Sequence, residues 1–279
     1  MEIHRKLVRK FKLHCTGSSF PFISGDTYAS LCDISYSGRD LSFSKKIDAF
    51  PVNQQIRLFV PLYLYESFSN WVDGVERDFS SFEIYLHNGD ELPSEQSILK
   101  LSKIFSKIWV VNWIGDIANV AAIPIGLENR KLHTNGVPRD FRKLIKRGIP
   151  SSLERKNQML VSFSITTNPT ERTRAIESLR NVSEIEIVNF QGKVREYQEE
   201  LLKSRFVLSP PGNGIDCHRT WEALYLGAIP IVKRKFWPFA HLDLPVVILD
   251  DWDDISELHT LELPDQVSID LMRSTFLDI

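Results

Sequence analysis

The chain has 279 residues, of which 43% are hydrophobic and 25% are charged, and its formal net charge is −2. This composition is ordinary for a soluble globular protein, and the length accommodates two modest α/β domains or one large one. The near-zero net charge provides no basic field for a nucleic-acid partner, and no apolar run reaches the ~18 residues that a membrane-spanning helix needs.

The N-terminal segment is basic but is not followed by the apolar run of a secretory signal. The simplest interpretation is that these cations lie on a solvated face of the protein. The alternative is peripheral contact with an anionic membrane surface or a lipid-linked acceptor. The three cysteines are widely spaced and form no CxxC pair, which favours a reducing cytoplasm. The basic residues are Arg5, Lys6, Arg9, Lys10 and Lys12, and the cysteines are Cys15, Cys32 and Cys217.

Strand-like and helix-like runs alternate along the first half of the chain. This alternation predicts an α/β fold with a mostly parallel sheet and helices on both faces. The predicted strands are 19–24, 56–60, 82–86, 109–111 and 120–125, and the predicted helices are 25–33, 62–75, 94–104 and 137–147.

The polar stretch 146–156, broken by Gly148 and Pro150, is the predicted domain junction. It divides the chain into an N-terminal domain, 1–150, and a C-terminal domain, 151–279, whose last helix is a candidate to pack back on the first domain. Beyond the junction the alternation resumes. The strands are 159–165, 185–188, 205–209, 229–232 and 246–249, and the helices are 170–179, 194–203, one that opens near Cys217, and 269–277.

The most informative stretch is 205–232, a strand, a Pro/Gly-rich loop, a helix and a second strand. The loop leads into a helix N-terminus, which offers backbone N–H groups and the positive end of a dipole to an anion. Asp216 is expected to cap this helix. Arg219 in the first turn adds a guanidinium fork, and Glu222 one turn later can accept hydrogen bonds from hydroxyls. A phosphate group together with a diol is what a nucleotide sugar presents.

The sequence of this stretch, FVLSPPGNGIDCHRTWEALYLGAIPIV, is followed by KFWPF. It resembles the exostosin-like glycosyltransferases, whose C-terminal half carries F-x-L-x-P-x-G-x-G-x-D-x-x-R with an acidic residue three positions later. The resemblance covers about 159–239. It implies a GT-B-type fold, in which two Rossmann-like domains face an interdomain cleft and the C-terminal domain holds a nucleotide-sugar donor. It also implies sugar transfer to a glycan, polysaccharide or lipid-linked glycan acceptor, usually with inversion and without a bound metal or other cofactor.

The motif and its flanking loops supply the candidates for binding the donor. Arg219 is assigned to the diphosphate and Glu222 to the ribose, although an i, i+3 pair between them is the plain structural alternative. A cation in a helix's first turn is unfavourable for the dipole, so a nearby anion explains it better. The same reasoning applies to Arg172. The other candidates, which are also ordinary loop, cap or core residues, are Ser209, Asn213, Gly214, His218, Thr166 and Asn168.

The catalytic base should be a carboxylate or imidazole on a loop after a strand of the N-terminal domain. Asp26 is favoured because its strand–Gly–Asp–Thr turn presents the carboxylate at a helix start. Arg219 is the second catalytic candidate, since it would stabilise the leaving diphosphate. The rivals of Asp26 are Asp90, Asp116, Glu128 and His87.

Two other functions compete with sugar transfer. A non-catalytic protein of the same fold could bind a nucleotide sugar or glycan without a base. A dinucleotide-dependent Rossmann enzyme is disfavoured, because no GxGxxG follows an early strand. No His/Cys/Asp cluster with metal-ligand spacing is present, so no catalytic metal is expected.

Overall fold

A computed structural model describes 18–38, 41–51, 54–91, 94–130, 132, 137–152, 154–182, 184–260 and 269–277. The N-terminal basic residues and Cys15 lie outside these ranges. The chain divides into two compact units, Met1–Ile125 and Gly126–Ile279. Each unit holds one parallel five-stranded sheet, so the mixed α/β structure is consistent with two Rossmann-like domains. Within the described ranges, no helix combines the length and the apolar content needed to cross a membrane.

The first unit contains a sheet whose strand order follows the chain. Because parallel crossovers are right-handed, this order places the helices between successive strands on one face of the sheet. The strands are β1 (Ile34–Ser35), β2 (Ile56–Pro61), β3 (Phe82–His87), β4 (Lys107–Val111) and β5 (Val120–Ile123). The helices are α1 (Gly25–Leu31), α2 (Leu41–Asp48), α3 (Tyr65–Asp73) and α4 (Glu95–Ser102), with a 3₁₀ turn at Leu62–Leu64.

The opposite face of this sheet is packed by α1. The ring of Tyr28 on α1 lies 6.0 Å from Tyr85 and 5.5 Å from His87 on β3. Successive strand residues point to opposite faces, so Phe82 faces the other layer, where it packs on Phe79 at 5.2 Å. The polar end of β3 therefore lies beneath α1.

One predicted strand of this unit is wrong. The stretch 19–24 forms a turn that carries a cis Phe20–Pro21 peptide, and the backbone N–H of Phe22 donates to the carbonyl of Ser19 at 3.0 Å. Proline has no N–H for a sheet ladder, which opposes strand formation here. The short β1 and the helix α2 were not predicted, because neither has a clear apolar period. The remaining predicted elements of this unit are confirmed to within a few residues.

The second unit begins with α5 and continues as a regular α/β array. The strands are β6 (Lys156–Val161), β7 (Glu186–Asn189), β8 (Ser204–Leu208), β9 (Ile229–Lys233) and β10 (Val247–Leu249). The helices are α5 (Pro138–Arg147), α6 (Pro169–Ser178), α7 (Val194–Lys203), α8 (His218–Tyr225) and α9 (Ile269–Leu277). Short 3₁₀ segments are Ile165–Thr167, Leu179–Asn181, Arg234–Phe236 and Trp252–Thr260.

The strand order of the second sheet is β7-β6-β8-β9-β10. The chain first moves outward from β6 to β7, then returns across β6 to β8 and continues in the other direction. The direction of winding therefore reverses between β6 and β8. In open parallel sheets, ligands bind outside the carboxyl ends of the strands at this switch point.

Residues 126–150 are grouped with the second unit, and Arg147 forms an ion pair with Glu199 on α7 at 2.7 Å. The domain boundary at residue 150 stays a prediction. On α9, the ring of Phe276 lies 5.4 Å from those of Trp221 and Phe239. This aromatic group belongs to the second unit's own core.

Candidate functional site

Two loops meet at the switch point of the second sheet. One follows β6 and contains Ser162, Phe163 and Ser164, and the other follows β8 as 209–217. The side chain of Asn168, at the N-terminus of α6, joins them by donating to the carbonyl of Gly212 at 3.2 Å. The two loops thus form the crevice at which a ligand of this sheet is expected.

Arg219 on α8 bridges these loops. Its Nε donates to the Ser162 carbonyl at 3.0 Å, and its Nη1 lies 3.5 Å from the Pro210 carbonyl. The guanidinium carbon lies 4.9 Å from the centre of the Phe163 ring. Carbonyls and an aromatic ring orient the guanidinium without neutralising it.

Arg172 on α6 makes the same kind of bridge. Its Nε donates to the Pro211 carbonyl at 2.9 Å, and its Nη1 donates to the carbonyl of Ser164. Its guanidinium carbon lies 5.3 Å from the ring centre of Phe163. Burial lowers the pKa of Arg172, and the positive charge of Arg219 lowers it further. Two mutually repelling cations on one ring form a site that an anion would stabilise.

Two nearby cations of this unit, Lys233 and Arg174, are paired with carboxylates. Lys233 contacts Asp251 at 3.0 Å and Glu171 at 3.8 Å, and Arg174 contacts Asp251 at 2.8 Å. Neither Arg172 nor Arg219 forms an ion pair with a carboxylate in the part of the chain that the structure describes. In this respect the two switch-point arginines differ from Lys233 and Arg174.

Glu222 is a buried carboxylate one turn after Arg219 on α8, with 4% of its surface exposed. Burial raises its pKa to about 7, against the opposing effects of the Arg219 charge and the Tyr197 hydroxyl. The charge of Glu128 raises the pKa further. Glu222 is therefore only partly ionised near neutral pH. The charge of Arg219 acts on this carboxylate without a direct ion-pair contact between the two side chains. Both predicted roles of Glu222 stay predictions.

We expect Glu222 to make the protein less stable as the pH rises. Its folded-state pKa of about 7 exceeds the ordinary value of 4.5. Between pH 4.5 and about pH 7, Glu222 is protonated in the native state but ionised in the unfolded chain. Its contribution to the free energy of unfolding is therefore fully present below pH 4.5 and is lost as the pH rises through about 7. The loss should reach at most about 3 kcal/mol of unfolding free energy. Urea unfolding of wild type and Glu222→Gln at about pH 5 and about pH 8 measures it.

The Glu222→Gln variant should lose this component of the pH slope. Glu177 on α6 provides the matched control, since its carboxylate is exposed and the substitution changes the charge equally. Glu177→Gln should retain the wild-type slope. Equal slopes for wild type and Glu222→Gln would contradict the assignment.

His218 joins α8 to the segment 126–128. Its Nδ1 lies 2.7 Å from the carbonyl of Gly126. A carbonyl oxygen can only accept, so Nδ1 carries the proton and donates this bond. The contact brings Glu128, which sequence analysis considered only as a base of the N-terminal domain, next to the α8 site.

The other predicted donor residues lie around the crevice with identifiable structural contacts. The buried Ser209 hydroxyl hydrogen-bonds Thr220 at 2.7 Å, and the exposed Thr166 bonds Ser164 at 2.7 Å. The Gly214 carbonyl accepts from Gly212 at 3.0 Å. Asn168 caps α6 by accepting from the Glu171 N–H at 3.3 Å, and Asn213 is an exposed loop residue. Their contact with a donor stays a prediction.

The expected capping role of Asp216 is wrong in detail. Helix α8 begins at His218 with Cys217 as its N-cap, and no side chain caps it. The Asp216 carboxylate instead accepts from the indole N–H of Trp221 at 2.8 and 2.9 Å. Trp221 is fully buried, as the predicted apolar face of this helix requires. The uncapped N–H groups at the start of α8 face the same crevice end of the sheet.

The base candidates lie in different places. Asp26 lies in the first turn of α1. The neighbouring Gly25 packs closely against His87, since a Cβ atom added at Gly25 would lie 2.7 Å from His87 Nδ1. His87 is 2% exposed, accepts from the Asn88 N–H at 2.7 Å and donates from Nε2 to the Pro124 carbonyl at 3.1 Å. Both ring nitrogens of His87 are thus engaged in hydrogen bonds to the backbone. Asp90 and Asp116 are exposed on loops after β3 and β4.

Sequence analysis missed the contributions of Phe163 and Tyr197. Phe163 lies within the predicted strand 159–165, but β6 ends at Val161. Phe163 therefore belongs to the following loop, where its ring contacts both arginines. Tyr197, near the start of α7, meets Glu222 only because α7 and α8 are neighbours on the sheet. Among the described residues, no group of three or more histidine, cysteine, aspartate or glutamate side chains is arranged to hold a metal ion.

The second unit is thus a doubly wound α/β unit with two guanidinium groups held by backbone carbonyls, and a buried carboxylate, at its switch point. Residues 168–267 match a family model described as RXYLT1 C-terminal domain, a family related to the exostosin-like glycosyltransferases. The match includes Arg172, Arg219 and Glu222, and it covers about a third of the chain. A comparison with curated proteins found no significant match.

Proposed function

We propose that this protein is a glycosyltransferase that moves a sugar from a nucleotide-sugar donor to a glycan or lipid-linked glycan acceptor. The donor's diphosphate would bind Arg172 and Arg219, and its ribose would bind Glu222. The single observation that carries the proposal is the pair of guanidinium groups that bridge the loops after β6 and β8 through backbone carbonyls, with no ion pair to a carboxylate among the described residues. The family match over these residues supports transfer chemistry.

The proposed mechanism depends on charge stabilisation. Negative charge develops on the nucleoside diphosphate as its bond to the sugar breaks. Preorganised guanidinium and helix-terminal N–H groups stabilise that charge in a site that needs little reorganisation. We further propose a GT-B arrangement, cytoplasmic location, and inverting, metal-independent transfer in which Asp26 removes the acceptor's proton. These finer features follow from the resemblance and from the position of Asp26 at a helix start.

A donor panel tests this function. UDP-, GDP- and CMP-sugars should be assayed for binding by calorimetry and for hydrolysis or transfer by release of the free nucleotide. We expect one nucleotide class to bind and to turn over. Binding without turnover on any acceptor would favour a non-catalytic nucleotide-sugar-binding protein, and binding of NAD in place of sugar nucleotides would overturn the proposal.

A further inference from the structure

A second buried carboxylate lies beside the donor site, on a segment outside the matched region. Glu128 is 6% exposed and follows Leu127, which is 1% exposed. Gly126 before them has φ of +67°, a conformation that glycine adopts readily. The Gly126 carbonyl accepts the His218 Nδ1–H at 2.7 Å, so the segment is fixed to the first residue of α8.

The two carboxylates differ in how they are attached to the site. Glu222 is carried by α8 itself, one turn beyond Arg219, whereas Glu128 is brought to α8 by a separate segment. The two are close enough that the charge of Glu128 raises the pKa of Glu222. Neither is suited to phosphate, since like charges repel, but both can accept hydrogen bonds from hydroxyl groups.

A nucleotide sugar carries hydroxyl-bearing rings on both sides of its diphosphate. If the diphosphate lies on Arg219 and Arg172, two carboxylates from different segments can serve the two rings separately. We infer that Glu128 accepts hydrogen bonds from the hydroxyls of the transferred sugar, and is therefore a specificity-determining residue, while Glu222 serves the ribose. This inference rests on the proposed function. A site that hydrogen-bonds a hydroxyl discriminates strongly against sugars that lack or misplace it.

Comparing ligands with and without the sugar tests this division. UDP and GDP are compared by calorimetry with their hexose and pentose derivatives, using wild type, Glu128→Gln and Glu222→Gln. Glu128→Gln should weaken binding of the preferred nucleotide sugar about 10-fold, since a charged hydrogen-bond acceptor is replaced by a neutral one. It should leave the free nucleoside diphosphate within about twofold. Glu222→Gln should weaken both ligands, and Glu177→Gln on the surface of α6 should change neither.

Glu128→Asp keeps the charge but withdraws the carboxylate, so it should alter the ranking of sugars. If Glu128→Gln does not fold, the ranking of sugars by Glu128→Asp tests the inference in its place. Equal weakening of the nucleoside diphosphate and the nucleotide sugar would overturn the inference, as would unchanged binding and ranking in both Glu128 variants. Failure of the wild type to bind any nucleoside diphosphate would overturn the proposed function and this inference with it.

Discussion

Replacing Arg219 with alanine is expected to reduce sugar transfer by ~10²–10³-fold while the fold is retained. Arg219 is half-buried, and its guanidinium is held by the carbonyls of Ser162 and Pro210 above the ring of Phe163. Under the proposed function, these contacts hold the guanidinium where negative charge would develop on the leaving diphosphate. The loss should fall mainly on kcat, since the charge is larger in the transition state than in the bound donor.

Steady-state transfer with the preferred donor measures this effect, and circular dichroism with thermal unfolding checks the fold. Arg180→Ala is the matched control, because Arg180 is an exposed arginine of the same unit. Arg219→Lys should be intermediate, since lysine keeps the charge but cannot make the forked contact with both loops. Transfer by Arg219→Ala at the rate of Arg180→Ala would exclude a catalytic role for Arg219.

Replacing Arg155 with methionine is expected to lower the free energy of unfolding of the second unit by about 3 kcal/mol. Arg155 is 7% exposed and has backbone carbonyls as its partners. Its Nη1 donates to Leu201 at 2.8 Å and Ser204 at 3.0 Å at the end of α7, and its Nη2 donates to Leu226 at the end of α8. The guanidinium thus satisfies carbonyls at two helix C-termini, where the dipoles favour a cation.

Burial lowers the pKa of Arg155 to about 10, so it remains charged at neutral pH. Methionine fills similar volume but leaves the buried carbonyls unsatisfied, which is the source of the expected loss. Urea unfolding followed by tryptophan fluorescence is suitable, because Trp221 and Trp252 are fully buried in this unit. The neighbouring exposed Lys156 provides the control, Lys156→Met. A loss below about 0.5 kcal/mol for Arg155→Met would contradict this role.

Arg155 also shows where sequence analysis reached its limit. It lies in the polar stretch 146–156, whose composition indicates an exposed junction. Composition cannot reveal that one cation of such a stretch donates to the terminal carbonyls of two helices, which end at Lys203 and Tyr225. The same limit explains Glu128, whose loop predicts a turn carboxylate but not its proximity to Glu222.

Local patterns in the amino-acid sequence are enough to predict the alternation of strands and helices, the Pro/Gly-rich loop after β8, and the positions of Arg219 and Glu222 on one short helix. These features depend on local rules, namely apolar periodicity, turn chemistry and helix spacing, which a single segment carries within itself. The three-dimensional fold is needed to show that β6 lies beside β8, that Arg172 and Arg219 both contact the Phe163 ring, and that Glu128 lies near Glu222. Strand order and loop contacts join residues far apart in the chain, and the pattern within any one segment does not contain that information.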